Sequence, residues 1–232
     1  MLDQILSRFF GKITPLDIDR IRDSNLTYLS HEKLVNIQKY INIIQSNNIP
    51  GIFIEYGVAL GGSSIFITSH LKSNRRFVGY DLFGTIPAPG LNDDQKSHDR
   101  YDVIKNGRSQ GIGGDKYYGY ENDLLGKVKS SFKDFGVPVD DKRVTLIKGL
   151  FEDTIHFETN TKIAFAHIDC DWYDPVMLCL EQTAPFLQPG GVIILDDYND
   201  YGGCKRATDE FLSKNPSFHL IESTHNAILT RD

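Results

Sequence analysis

Four short apolar runs in this chain each carry a carboxylate at or just past the C-terminal end: Ile52–Tyr56 with Glu55, Arg76–Tyr80 before Asp81, Ile163–Ile168 before Asp169, and Gly191–Leu195 before Asp196. Runs of this length with apolar interiors read as buried strands. The segments between them have helical spacing. From Leu29 to Ile44 the apolar positions are Leu34, Ile37, Tyr40, Ile41 and Ile44, with Ser30 as N-cap and Asn47-Asn48 and Pro50-Gly51 as stop signals. Strands alternating with helices predict a mostly parallel sheet covered on both faces, with ligands at the carboxyl ends of the strands. The polar residues fall at those ends.

The remaining elements follow from the same spacing. Helices are predicted at Ser64 to Leu71, about Glu121 to Phe135, Tyr173 to Leu187 (with Pro175 in its first turn) and Cys204 to Leu212. Further strands are predicted at Val144–Ile147, Phe218–Glu222 and Ala227–Thr230. Residues 83–120 break the alternation with prolines, glycines and adjacent charges. A connection that long in a compact domain reads as a functional lid or a disordered segment. The expected organisation is one domain over residues 1–232, with a helical region at about 1–50 and a lid at about 83–120; 232 residues suffice for one such core.

A net charge of -6 lacks the basic footprint of a nucleic-acid binder. Cys170, Cys179 and Cys204 form no CxxC pair, so a reducing cytoplasm is the simpler setting than a disulfide scaffold or zinc ribbon. The amphipathic stretch at residues 1–20 lacks the apolar core and cleavage site of a signal peptide. No window approaches the roughly 20 apolar residues of a bilayer span. The expectation is a soluble, cytoplasmic protein without membrane or nucleic-acid partners, and a homo-oligomer is compatible with it.

Two constellations carry chemistry. The first is Glu55-Tyr56-Gly57-Val58-Ala59-Leu60-Gly61-Gly62-Ser63-Ser64, a strand–glycine turn–helix junction where a ligand can approach the backbone and a helix N-terminus. Asp81, ending the next strand, can accept both hydroxyls of a ribose or serve as a turn cap. The turn reads GVALGG and lacks the phosphate-cradling GxGxxG pattern. That favours an adenosine ligand without a pyrophosphate, such as S-adenosylmethionine, over a nicotinamide dinucleotide; a nicotinamide-dependent oxidoreductase is the alternative from another class.

The second constellation is Ile168-Asp169-Cys170-Asp171 and Leu195-Asp196-Asp197-Tyr198, ending consecutive strands. Strands joined by a crossover helix often lie side by side, which would crowd four like charges into one volume. A hard cation with oxygen ligands would compensate them. Alternatives are that some of these aspartates cap helices, as Asp174 before Pro175 would, or that Lys205-Arg206 folds back as the counter-charge. A carboxylate that is not a ligand can take a proton from an acceptor alcohol, and by position this is Asp171. His167 reads as core or as support for the aspartates, His98 as a lid residue near the acceptor, and Trp172 as a flank to it.

Together these residues resemble the macrocin and mycinamicin type of sugar O-methyltransferase, from about Leu26 to Leu212. The motifs FIEYGVALGGSS, GYDLFGTIP, DKRVTLIKGLFEDTI and HIDCDWYDPVMLCLEQTAPFLQPGGVIILDDYNDYGGCKRATDEF carry the likeness, in that order. The resemblance implies a class I S-adenosylmethionine-dependent methyltransferase with a seven-stranded sheet and a lid insertion. It implies Mg²⁺ or a similar divalent ion on Asp169, Asp196 and Asp197, and Asp171 as general base. The cofactor shell it implies comprises Glu55, Tyr56, Gly57, Ser63, Ser64, Asp81, Phe83, Gly149, Phe151, Asp153 and Asp169. The acceptor it implies is a small-molecule hydroxyl on a sugar, a phenolic or catechol-like acceptor being the alternative.

Overall fold

Every second residue of the central strands packs on the opposite side of one sheet, which is how the apolar runs cover two faces at once. The computed structural model describes residues 16–232. The part of the amphipathic N-terminal stretch before residue 16 lies outside the described residues. The strands are β1 (Ile52–Tyr56), β2 (Phe77–Asp81), β3 (Val144–Lys148), β4 (Ile163–Ile168), β5 (Leu187–Leu195), β6 (Phe218–Glu222) and β7 (Ala227–Arg231). They form one seven-stranded sheet in the order β3-β2-β1-β4-β5-β7-β6. The first five are parallel, and β7 runs antiparallel to both β5 and β6.

Eight α-helices flank the strands among the described residues: α1 (Ile18–Asp23), α2 (His31–Ser46), α3 (Gly62–His70), α4 (Gln95–Lys105), α5 (Leu124–Asp134), α6 (Phe151–Thr154), α7 (Tyr173–Thr183) and α8 (Gly202–Lys214). Phe53, Phe77, Phe165 and Ile194 face the layer containing α2, α3 and α5. Ile54, Val78, Ala166 and Ile193 face α7 and α8. Burying each such side chain contributes about 1.5–3 kcal/mol. The Ser30 cap is present, its hydroxyl accepting from the Lys33 amide.

Two regions depart most from the sequence reading. The helix predicted through Leu187 ends at Thr183, and β5 begins at Leu187, paired with Ile163. Residues 83–120 contain α4, two 3-10 turns and a bridge between Gln110 and Lys116. Helix α4 buries only Ser97 and Ile104, so its sequence has no apolar stripe to announce it.

The chain runs outward from β1 to β2 and β3, then returns to place β4 on the other side of β1. That reversal opens a crevice beyond the carboxyl ends of β1 and β4.

Candidate active site

The crevice is shaped by one very close backbone approach. Gly57 has φ +93°, and a Cβ on it would sit 1.8 Å from the carbonyl oxygen of Asp169. The Asp169 amide donates to the Tyr56 carbonyl at 2.8 Å, knitting the ends of β1 and β4 together. Asp81 then organises the turn. Its Oδ2 accepts from the amides of Val58 (2.7 Å) and Ala59 (2.9 Å), and its Oδ1 from that of Phe83. Ala59 and Phe83 both take positive φ there, 46° and 48°, a strained conformation typical of ligand sites. Burial raises the Asp81 carboxyl above its usual range, opposed by these amides. The cap is therefore present, and the same carboxylate also faces the cavity.

Four aspartates meet at the ends of β4 and β5, which are parallel neighbours. One oxygen each from Asp169, Asp196 and Asp197 lies within 4.8 Å of the others. Asp171 stands apart from that trio at φ 60°, and its amide donates to Asp197 Oδ2 at 3.1 Å. Burial first, and repulsion among the carboxylates second, pushes Asp169 and Asp197 well above the carboxylate range. Asp171 is pushed up to about 7 by the same two causes. Asp196 shifts down, because His167 and the Lys33 ammonium outweigh its burial.

One counter-charge comes from α2. Lys33 Nζ donates to Asp196 Oδ2 (2.8 Å), the Asp196 carbonyl (3.1 Å) and Asp200 Oδ2 (2.7 Å), occupying all three of its donors. Lys205 and Arg206 do not fold back: Lys205 binds the Tyr198 hydroxyl and Asp209, and Arg206 binds Glu210. Beneath the aspartates, His167 Nδ1 lies 2.7 Å from Glu55 Oε1, and its Nε2 lies 3.8 Å from Asp196 Oδ1. Burial opposes its charge, but the Asp196 and Glu55 carboxylates raise it to about 10. Asp196 Oδ1 is buried without a hydrogen-bond partner among the described residues. An orphaned carboxylate oxygen within a set of three carboxylates fits a hard divalent cation.

A cavity of about 710 Å³ joins the two constellations. Of the expected cofactor shell, Gly57, Ser63, Asp81, Gly149, Phe151 and Asp169 line it. Glu55, Tyr56 and Ser64 lie under its floor: Glu55 binds His167 and the Ser64 hydroxyl, and the Tyr56 hydroxyl pairs with Thr183 Oγ1 at 2.9 Å. Phe83 and Asp153 lie outside the lining, Phe83 buried and Asp153 exposed on α6. Asp171, Asp196 and Asp197 line the opposite half with Trp172, Tyr117, Tyr118 and Tyr201. His98 is not in the lining, whereas its neighbours Lys96 and Arg100 are.

The expected lid is docked over this half. The Trp172 indole donates to the Pro87 carbonyl at 3.0 Å. Asp93 Oδ1 accepts from the Tyr173 amide (2.8 Å) and Asp94 Oδ2 from the Gly202 amide (2.9 Å), so two consecutive carboxylates satisfy the N-termini of α7 and α8. A Cβ at Gly203 would lie 1.8 Å from Asp93 Oδ1, which ties the Gly202-Gly203 pair to this docking. Asp174 is not the cap of α7; it lies within the first turn, and Trp172 holds the N-cap position.

The family described as Macrocin-O-methyltransferase (TylF) matches residues 19–223. The 8-demethyl-8-(2,3-dimethoxy-alpha-L-rhamnosyl)-tetracenomycin-C 4'-O-methyltransferase of Streptomyces olivaceus is 29% identical over 189 residues, covering 80% of this chain and 67% of that protein. Mycinamicin III 3''-O-methyltransferase of Micromonospora griseorubida is 28% identical over 213 residues, covering 88% and 78%. Among solved structures, the O-methyltransferase NovP superposes with a TM-score of 0.72 at 25% identity, covering 89% of this chain and 82% of that one. No helix among the described residues is long and apolar enough to cross a membrane.

Proposed function

Because the chain belongs to the macrocin O-methyltransferase family, and so is an S-adenosylmethionine-dependent O-methyltransferase of class I fold, we propose that it methylates a sugar hydroxyl of a small molecule with the help of a divalent cation. The relatives named for a rhamnosyl 4'-O and a mycinamicin 3''-O position support a sugar hydroxyl as acceptor. The observation that carries the cation is the convergence of Asp169, Asp196 and Asp197, with Asp196 Oδ1 buried and without a hydrogen bond among the described residues.

A sugar hydroxyl titrates near that of water, about 16, and an ordinary aspartate near 4. At about 1.36 kcal/mol per unit, that mismatch is on the order of 16 kcal/mol. Burial, which pushes Asp171 up to about 7, removes about 4 kcal/mol of it. Held by the three aspartates, Mg²⁺ or a similar ion would supply Lewis acidity toward the acceptor oxygen, which no side chain here provides. Asp171, outside the trio, takes the hydroxyl proton. Asp81 accepts the ribose hydroxyls of the methyl donor, Gly57 lets the donor approach the backbone, and the docked segment over Trp172 limits water. Release of adenosylhomocysteine, measured with EDTA and then with added Mg²⁺, tests the reading. EDTA should abolish turnover and Mg²⁺ restore it; turnover indifferent to EDTA rules the cation out.

A further inference from the structure

Among the described residues, three cations line the acceptor half of the cavity, and they are not equivalent. Lys33 is fully occupied by Asp196 and Asp200. Lys96 on α4 donates to the Asp200 carbonyl at 2.5 Å and lies 4.9 Å over the Tyr201 ring. Arg100 follows Lys96 by one helical turn and lines the same cavity. It is half-buried, its guanidinium 5.6 Å from the Tyr117 ring. Among the described residues it has no carboxylate within 4.0 Å and no hydrogen bond. Lys96, one turn before it, is tied to Asp200, which shares the Lys33 ammonium with Asp196, so this face of α4 lies beside the aspartate cluster and lines the same cavity as Asp171.

A cavity-lining guanidinium with five donors and no protein acceptor among the described residues is free to take a ligand. Its planar fork matches a carboxylate or phosphate. A neutral glycoside would leave that fork with weak hydroxyl acceptors. Building on the methyltransferase reading above, we propose that the acceptor is an anionic sugar whose phosphate or carboxylate docks on Arg100, with Lys96 adding charge at the cavity mouth. Since Arg100 and Asp171 share one end of the cavity, the oxyanion sits on the same sugar ring as the methylated hydroxyl or directly next to it. Glycosyl phosphates, nucleotide sugars and uronic acids belong to this class.

The test uses the full chain and three probes with a shared ring: methyl α-D-glucopyranoside, its uronate, and α-D-glucose 1-phosphate. Binding is followed by saturation-transfer NMR, with and without adenosylhomocysteine and Mg²⁺. At least one anionic probe should bind on the order of 10- to 100-fold more tightly than the neutral one, as expected of a charge-assisted contact. The uronate-to-phosphate ratio identifies the source of the charge. Arg100→Met should erase the preference while leaving adenosylmethionine binding intact, and Arg100→Lys should keep part of it. Equal behaviour of charged and neutral probes, absence of binding by all three included, overturns the proposal. So does a preference that survives Arg100→Met. Failure to bind adenosylmethionine would instead sink the methyltransferase reading and leave the probe comparison valid.

Discussion

Replacing Lys33 by Met removes the side-chain ammonium hydrogen-bonded to the four-aspartate cluster without emptying its volume. Lys33 Nζ lies 2.8 Å from Asp196 Oδ2, the two side chains being 15% and 7% exposed. At an effective dielectric near 20, two unit charges at that separation attract by about 6 kcal/mol. Desolvation and side-chain ordering offset much of this, and breaking one partner of a buried pair typically costs about 3–5 kcal/mol. The second partner, Asp200, is 49% exposed and adds little. A net destabilisation of about 3 kcal/mol is expected, or roughly 6–12 °C in Tm for a chain of this length. Differential scanning fluorimetry in EDTA reads this directly. Added Mg²⁺ should recover a larger part of Tm in Lys33→Met than in the wild type, because the ion then supplies the missing charge. A variant whose Tm in EDTA matches the wild type within about 2 °C would refute the view that Lys33 neutralises the cluster.

Other consequences follow from the same geometry. Gly57→Ala forces a methyl group into the Asp169 carbonyl at φ +93°, which should cost at least about 3 kcal/mol in urea unfolding; a near-neutral change would show that β1 and β4 are not locked there. Asp171 is raised to about 7 and His167 to about 10 in the folded chain. The stabilising contribution of each is complete below its unfolded value, about 4 and about 6.5, and is lost as pH rises through the folded one. Tm in EDTA should therefore fall between pH 6 and 8, and a rise would contradict the assignment. Asp94→Ala removes the cap of α4 and the acceptor for the Gly202 amide. It should cost about 1 kcal/mol and speed limited proteolysis within residues 83–120; unchanged cleavage would mean that the segment is held by other contacts.

Much of the fold was legible because strand interiors here are nearly pure in type. Ile52–Tyr56 and Ile163–Ile168 are buried on both faces, so their apolar runs coincide with the observed strands. The aspartate cluster was legible because consecutive runs end on acids, and β4 and β5 do lie side by side. What the sequence concealed depends on distant contacts. Lys33 sits 163 positions from Asp196 and reads as an ordinary solvent-facing charge on an amphipathic helix. Arg100 was hidden because α4 carries no apolar periodicity. Leu187 joins a strand since its partner is Ile163, which helical spacing alone could not disclose. Glu55 looked like a ligand contact from its place at a strand end, yet the pleat turns it toward His167 and Ser64. Alternation along β1 predicts which face Glu55 takes; what waits on that face is a matter of tertiary packing.

The proposed division of labour among neighbouring aspartates gives the cation to Asp169, Asp196 and Asp197 and the proton to Asp171. A calorimetric Mg²⁺ titration of the wild type, Asp196→Asn and Asp171→Asn, with turnover measured on the same samples, tests it most directly. Asp196→Asn should weaken Mg²⁺ binding on the order of 10-fold or more, as expected when a charged ligand is lost. Asp171→Asn should bind Mg²⁺ within about threefold of the wild type while losing most turnover, on the order of 100-fold or more. If both variants lose metal affinity alike, or if Asp171→Asn keeps its turnover, the assignment of roles is contradicted.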